Sequence, residues 1–227
     1  MSIALVQIDG REGAKFEALQ ISLDAMPKGF FTCAQDYRSP SSKEKYSKFI
    51  LQQLPDSAFT QTDHVLIVQE DGYITNPELW DDSWLQYDYI GAPWPFPPYV
   101  GNGGFSLRSR KLLEACRGFY EEGVYEDVSI CCRHREELIA QGIKFAPLEV
   151  AAKFSRELVD FGPPTFGFHS VPKGLCICGG EAWKDGHSIC EDCYTRLPQE
   201  FHFPSSKEEF CAGIDWLRLN PREAVPA

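Results

Sequence analysis

The chain has 227 residues, 43% hydrophobic and 24% charged, which suits one medium domain with a small appendage and excludes a disordered chain. Its formal net charge of −11 opposes any sequence-independent grip on a phosphate backbone. No stretch approaches the length of a membrane span and nothing near Met1 reads as a signal peptide, so the sequence predicts a cytoplasmic protein.

Along the chain, strand-like and helix-like segments alternate. Ile3 to Ile8 is an apolar run that predicts a strand. Helical spacing follows over 12–25, with Phe16, Leu19, Leu23 and Met26 near one face. Phe30 to Cys33 is the next predicted strand. Ser41-Ser42-Lys43-Glu44 has the form of a capping box and opens a helix that Pro55 ends. Val65 to Val68 is apolar throughout, as in a central parallel strand buried on both faces. The pattern then predicts a short helix over 80–85, strands over 87–90 and 104–108, and a helix over 109–120 capped by Ser109. Asp127 opens a further helix through Leu138, Gly142 closes it, and 143–147 reads as a strand. This alternation argues for an α/β domain with an open, mostly parallel twisted sheet flanked by helices. Composition shifts near 172. The expected organisation is a main domain over 1–172, a cysteine-rich module over 173–198 and a C-terminal tail over 199–227 with one helix at 206–219.

Four groups of residues carry candidate chemistry. Gln69, Glu70 and Asp71 end the greasy run and precede Gly72. An Asp-Gly pair there can simply turn the chain, and the end of a buried strand is also a rigid place from which to aim a carboxylate. Gly101, Asn102, Gly103 and Gly104 form a loop whose backbone can approach a ligand closely or serve as an ordinary turn. Glu126 and Asp127 stand at a predicted helix start, where Asp127 is either a cap or a general base. His169 closes the aromatic stretch Phe166-Gly167-Phe168, as a structural residue or a ligand.

Taken together, the order of these elements resembles the common core of GT-A glycosyltransferases. More closely, VLIVQEDGYITNPELW, YDYIGAPW, GNGGFSLRSRK and FGFH resemble a domain family placed near those enzymes, with a Gln-x-Asp-Gly and a Tyr-Asp-Tyr-Ile-Gly-Ala-Pro-Trp block, over roughly residues 3–171. The resemblance implies a GT-A-like fold and transfer of a sugar from a nucleotide-diphosphate donor, a UDP-sugar, to an acceptor hydroxyl on a glycan, protein, small molecule or modified DNA. It implies that Asp71 and His169 bind Mn2+ or Mg2+, that Gln69, Glu70 and Gly101 to Gly104 shape the donor site, that Asp9 touches the nucleotide, and that Asp127, with Glu126 beside it, is the base of an inverting reaction. Gln69 stands where many relatives carry a first Asp, which leaves a non-catalytic nucleotide-sugar-binding module as a second reading. Tyr89, Pro93 and Trp94 are either pocket-lining or core residues.

The nine cysteines are not spread as a disulfide framework. Cys131 and Cys132 sit in a helical pattern as small core residues. Cys176, Cys178, Cys190 and Cys193 form two close pairs that resemble a zinc ribbon, a closed structural site with four thiolate ligands. A segment so short cannot bury a useful core, so the metal would supply its folding energy. A zinc-ribbon protein that binds or glycosylates modified nucleic acid is the third functional class, and the acidic charge opposes it. Elemental analysis of the purified protein is expected to find about one Zn2+ per chain, the stoichiometry of a single four-ligand site. Protein without zinc, or with these sulfurs bridged as disulfides, contradicts the assignment.

Overall fold

The computed structural model describes residues 1–9, 17–38, 43–57, 61–94, 96–157 and 163–169, together with Arg196 and Ala212. The capping-box serines, the four paired cysteines, the cysteine-rich module and the helix expected at 206–219 lie outside these residues, apart from Arg196 within that module and Ala212 within that helix.

A five-stranded sheet forms the centre, in the order β2-β1-β3-β5-β4. Its strands are β1 (Ile3–Asp9), β2 (Cys33–Arg38), β3 (His64–Val68), β4 (Tyr89–Ile90) and β5 (Ser106–Ser109). β1 pairs in parallel with β2 and β3, whereas β5 runs antiparallel to both β3 and β4. Only β5 therefore runs against the others, and the sheet is mostly parallel, as the alternating sequence pattern implies.

Every residue of β3 is buried, because both faces of the sheet are covered. Successive strand residues point to opposite faces. Leu66 and Val68 join Ile3, Leu5, Phe105, Trp84, Phe154 and Phe166 in one core cluster. Val65 and Ile67 join Ala4, Val6, Ile8, Phe49, Ile50, Leu54 and Leu113 on the other side. α1 (Glu17–Ala25) is tied to the sheet by a polar bond as well: the fully buried Gln7 accepts from the Leu19 N–H through Oε1 at 2.9 Å. α2 (Lys43–Lys48) widens into a π-helical stretch, Phe49–Gln53, and a tight turn at Leu54–Asp56 ends it at Pro55.

Several elements differ from the sequence expectation. The strand expected at Phe30 starts at Cys33, and the two phenylalanines pack instead: Phe30 meets Trp80 edge-on at 5.0 Å. The helix expected over 80–85 is two short 3-10 turns, Pro77–Leu79 and Asp82–Gln86, the second capped by Asp81. The helix after Ser109 is shorter than expected, α3 (Arg110–Ala115). The long helix from Asp127 is broken at His134 into α4 (Glu126–Val128), a π-helical stretch Ser129–Arg133 and α5 (Arg135–Ala140). Gly142 does close it, with φ +80° in the region that favours glycine. The segment 143–147 makes only an isolated bridge from Phe145 to Tyr89. Pro147 has no N–H to extend a ladder and instead caps α6 (Leu148–Phe154). A small parallel pair follows, β6 (Ser155–Arg156) with β7 (Gly167–Phe168).

Gly91, in the YDYIGAPW block, shows why that block tolerates no side chain there. A Cβ would lie 1.8 Å from the Gly101 carbonyl oxygen and 2.4 Å from that of Asn102, both backbone atoms. Gly91→Ala is expected to destabilise the protein by about 1–3 kcal/mol or more, the usual cost of overpacking, as read by urea denaturation. An unchanged midpoint contradicts this packing.

Candidate functional site

At the carboxyl end of β3 the chain turns at once. Gln69 and Gly72 exchange backbone hydrogen bonds of 2.9 and 3.0 Å, leaving Glu70 and Asp71 at the tip. The turn is the local structure, and it also aims Asp71 at His169. The Asp71 Oδ1 lies 3.5 Å from His169 Nε2, and Gln69 Oε1 lies 2.8 Å from the same nitrogen. One ring nitrogen thus faces two oxygens.

His169 arrives from β7, about a hundred residues away. Ile74 bridges to Gly167, and the Phe168 N–H donates to the Tyr73 carbonyl at 3.4 Å, which brings β7 alongside the turn. The parallel register of β6 and β7 pairs Arg156 with Phe168 and so sets Glu157 beside His169. Glu157 Oε1 is 3.0 Å from His169 Nδ1, with both side chains 14% exposed. Asn102 Nδ2 approaches the same nitrogen at 3.2 Å. No sequence expectation included Glu157. Two-residue strands carry no periodicity, so the only available signal was a carboxylate at the end of a helical segment upstream of the histidine.

The glycines make room for these groups. A Cβ on Gly72 would meet His169 Cδ2 at 2.8 Å, and one on Gly104 would meet His169 Nε2 at 2.0 Å. A Cβ on Gly103 would fall 1.8 Å from Glu126 Oε1, and one on Gly101 would strike the Trp94 ring. The left-handed position in this loop is Asn102, at φ +61°, whose Oδ1 accepts from the Gly104 N–H at 3.0 Å. Tyr89, Pro93 and Trp94 are buried beneath the loop as core, and the Tyr89 hydroxyl donates to the Asn102 carbonyl at 2.8 Å.

Glu126 lies on the far side of the loop. It is buried, and its Oε1 accepts from Arg108 Nη2 at 2.7 Å. Arg108 is fully buried, donates through Nε to Ser106 Oγ at 3.0 Å, and reaches the Gly103 carbonyl at 3.3 Å. The glycine loop therefore runs between a buried ion pair and the histidine. An arginine within the predicted strand GFSLR was a readable signal, since a charge in a buried strand needs a carboxylate partner. Asp127 is also buried, and its Oδ1 accepts from the Val128 N–H at 2.8 Å. Tyr125 is the N-cap of α4, so Asp127 does not fill the cap position that the sequence suggested. The Tyr46 hydroxyl is buried near Gln69, Glu126, Arg108 and Asp127; burial first, then the Glu126 charge, raises its pKa well above the usual phenol value. Asp9 is the last residue of β1.

Among the described residues no group of three or more His, Cys, Asp and Glu side chains is arranged to hold a metal. The donors that do converge are His169 Nε2, Asp71 Oδ1 and the amide oxygen of Gln69. That mixed set fits a hard divalent cation that takes its remaining ligands from water and substrate phosphates. Among the described residues no helix is long and apolar enough to cross a membrane.

Residues 31–169 match the family described as "Protein of unknown function (DUF5672)", and the chain belongs to that family. Among solved structures it is similar to a glycosyltransferase involved in the glycosylation of the major capsid of PBCV-1. The identity is 13% and the TM-score 0.51, over 76% of this chain and 94% of that one. It is also similar to A197 from STIV at 14% identity and a TM-score of 0.40, over 60% of this chain and 78% of that one, a likeness too slight to carry an argument. No curated protein matches the chain. The PBCV-1 likeness is one of fold alone: the domain shares the architecture of that enzyme.

Burial by itself disfavours a charged His169, but hydrogen bonds and Coulombic attraction from Asp71 and Glu157 outweigh it and push the imidazole up to about 9. A raised value means that the charged ring stabilises the fold fully below its unfolded pKa of about 6.5. That contribution is lost as pH rises through about 9. In protein stripped of divalent cations, NMR titration is expected to place the His169 midpoint near 9 and to show Asp71→Asn lowering it. A midpoint near the ordinary histidine value in the wild type contradicts the cluster.

Proposed function

We propose that the chain is a glycosyltransferase that moves a sugar from a nucleotide-diphosphate donor, a UDP-sugar, to an acceptor hydroxyl with inversion at the anomeric carbon. The observation that carries the reading is the convergence of Asp71, Gln69 and His169 at the carboxyl edge of β3, where ligands bind in open α/β sheets. The glycosyltransferase-like fold supports it. So does the charge: a chain at −11 needs a local cation to hold a diphosphate.

His169 Nε2, Asp71 and Gln69 would hold Mn2+ or Mg2+, which when bound supplies Lewis-acid stabilisation of the departing diphosphate. Glu70 at the turn tip and the backbone of Gly101 to Gly104 border the donor, and Asp9 at the end of β1 reaches the nucleotide. Asp127 takes the proton of the acceptor hydroxyl as its oxygen attacks the anomeric carbon. The bond from that carbon to the diphosphate oxygen breaks, and the electron pair leaves with the nucleoside diphosphate. Such base assistance typically contributes about 10²–10⁴-fold. Glu126, engaged by Arg108, keeps the loop and helix start in place rather than exchanging protons.

A non-catalytic sugar-nucleotide-binding module is the second reading, favoured by an amide at Gln69 in place of a carboxylate. A role on modified nucleic acid has only the cysteine module for support. Calorimetry with Mn2+ and UDP is expected to detect binding by the wild type and its loss in Asp71→Ala. Asp127→Asn is expected to stay folded, bind the nucleotide normally and transfer at least about a hundredfold more slowly. Undiminished binding by Asp71→Ala sinks the donor site, near-normal transfer by Asp127→Asn sinks the base, and a retained product anomer sinks inversion.

A further inference from the structure

We propose that Glu157 is a positioning residue that keeps the His169 proton on Nδ1 and leaves the Nε2 lone pair facing the cation site. This rests on the transferase reading above and adds a residue to it.

His169 Nδ1 has two competing neighbours. Glu157 Oε1, at 3.0 Å, can only accept a proton when ionised, whereas the Asn102 amide Nδ2, at 3.2 Å, can only donate. The Asn102 amide is not free to rotate its oxygen inward, because Oδ1 already accepts from the Gly104 N–H at 3.0 Å. One nitrogen cannot satisfy both neighbours, and at Nε2 the Gln69 and Asp71 oxygens would likewise take the ring hydrogen unless a cation engages them. A charge-assisted bond is roughly twice as strong as a neutral one. With Gln69 and Asp71 engaged by a cation, Glu157 would therefore hold the ring hydrogen on Nδ1 and leave the Nε2 lone pair to that cation. A flipped ring would set carbon rather than nitrogen against Glu157 and Gln69, so these two contacts hold the ring's orientation. Without Glu157 the Asn102 amide would donate to Nδ1. The ring hydrogen would then move to Nε2, where Gln69 Oε1 at 2.8 Å would accept it. That tautomer cannot ligate a cation through Nε2. A carboxylate behind a ligating histidine commonly acts in this way, and its loss costs about 10–100-fold in metal affinity.

The test compares wild type, Glu157→Ala and Glu157→Gln in the full chain. Mn2+ binding is followed by electron paramagnetic resonance, alone and with UDP, and the His169 tautomer is read from imidazole 15N shifts of the protein loaded with diamagnetic Mg2+. The expected result is a wild type in the Nδ1–H form that binds Mn2+. Glu157→Ala should show more of the Nε2–H form at the same Mg2+ and bind Mn2+ about 10–100-fold more weakly. Glu157→Gln, which keeps the shape, should retain more of the affinity than Glu157→Ala. Should Glu157→Ala fail to fold, the Gln variant decides: weaker binding supports the role and unchanged binding overturns it. Equal affinity and an unchanged tautomer in folded Glu157→Ala overturn the positioning role while leaving the cation site intact. A wild type that binds no Mn2+ with or without UDP overturns both.

Discussion

One imidazole joins three other stretches of this chain. His169 touches the turn after β3 through Gln69 and Asp71, the glycine loop through Asn102 and Gly104, and the end of β6 through Glu157. A mostly buried ring that carries charge needs partners on every polar edge, or the fold gives up the favourable exchange with water. Here both ring nitrogens have oxygen neighbours and the nearby backbone is stripped to glycine, so the position of His169 fixes the spacing between the turn and the loop. Glu157 after β6 and His169 after β7 thereby become part of the site.

The other side of the glycine loop is held by a second polar contact of a different kind. Arg108 and Glu126 are both buried, and their 2.7 Å bond satisfies charges that would be costly to leave alone. Such a pair adds little net stability over an apolar replacement, but breaking it by removing one partner is expensive. Arg108 also reaches the Gly103 carbonyl and stands 5.3 Å from the centre of the Tyr89 ring. Tyr89 in turn bonds the Asn102 carbonyl. The loop is therefore clamped from below and from the Glu126 side, and Asn102 and Gly104 also face His169. A preorganised loop of this kind suits a site whose chemistry is mostly positioning.

What was legible in the sequence follows from burial. β1 and β3 are covered on both faces and read as mainly apolar runs. β2 is an edge strand with Ala34, Gln35 and Asp36 exposed, so its pattern was faint and the greasy Phe30-Phe31 beside it drew the strand too early. Phe145 is apolar for packing yet forms one bridge, because Pro147 cannot donate to a ladder. The site divides along the same line. Asp71, His169 and the glycine loop were singled out because each sits in a local motif, and the structure brings Asp71, His169, Asn102 and Gly104 together. The space beside the glycines, read as room for a ligand or as a turn, is occupied by His169, Trp94 and the Arg108–Glu126 pair. Glu157 and the Arg108 partnership depend on pairings between distant segments, which no local pattern records. Asp127 stands near the same loop through its influence on Tyr46.

The central claim is that this acidic pocket turns over a nucleotide sugar rather than merely binding one. The most direct measurement is release of nucleoside diphosphate from a panel of nucleotide sugars incubated with the protein and Mn2+. The account predicts steady release from at least one UDP-sugar, abolished by Asp71→Ala and by chelation. Nucleotide binding without release from any donor, with or without acceptor hydroxyls present, would contradict transferase activity and leave a sugar-nucleotide-binding module.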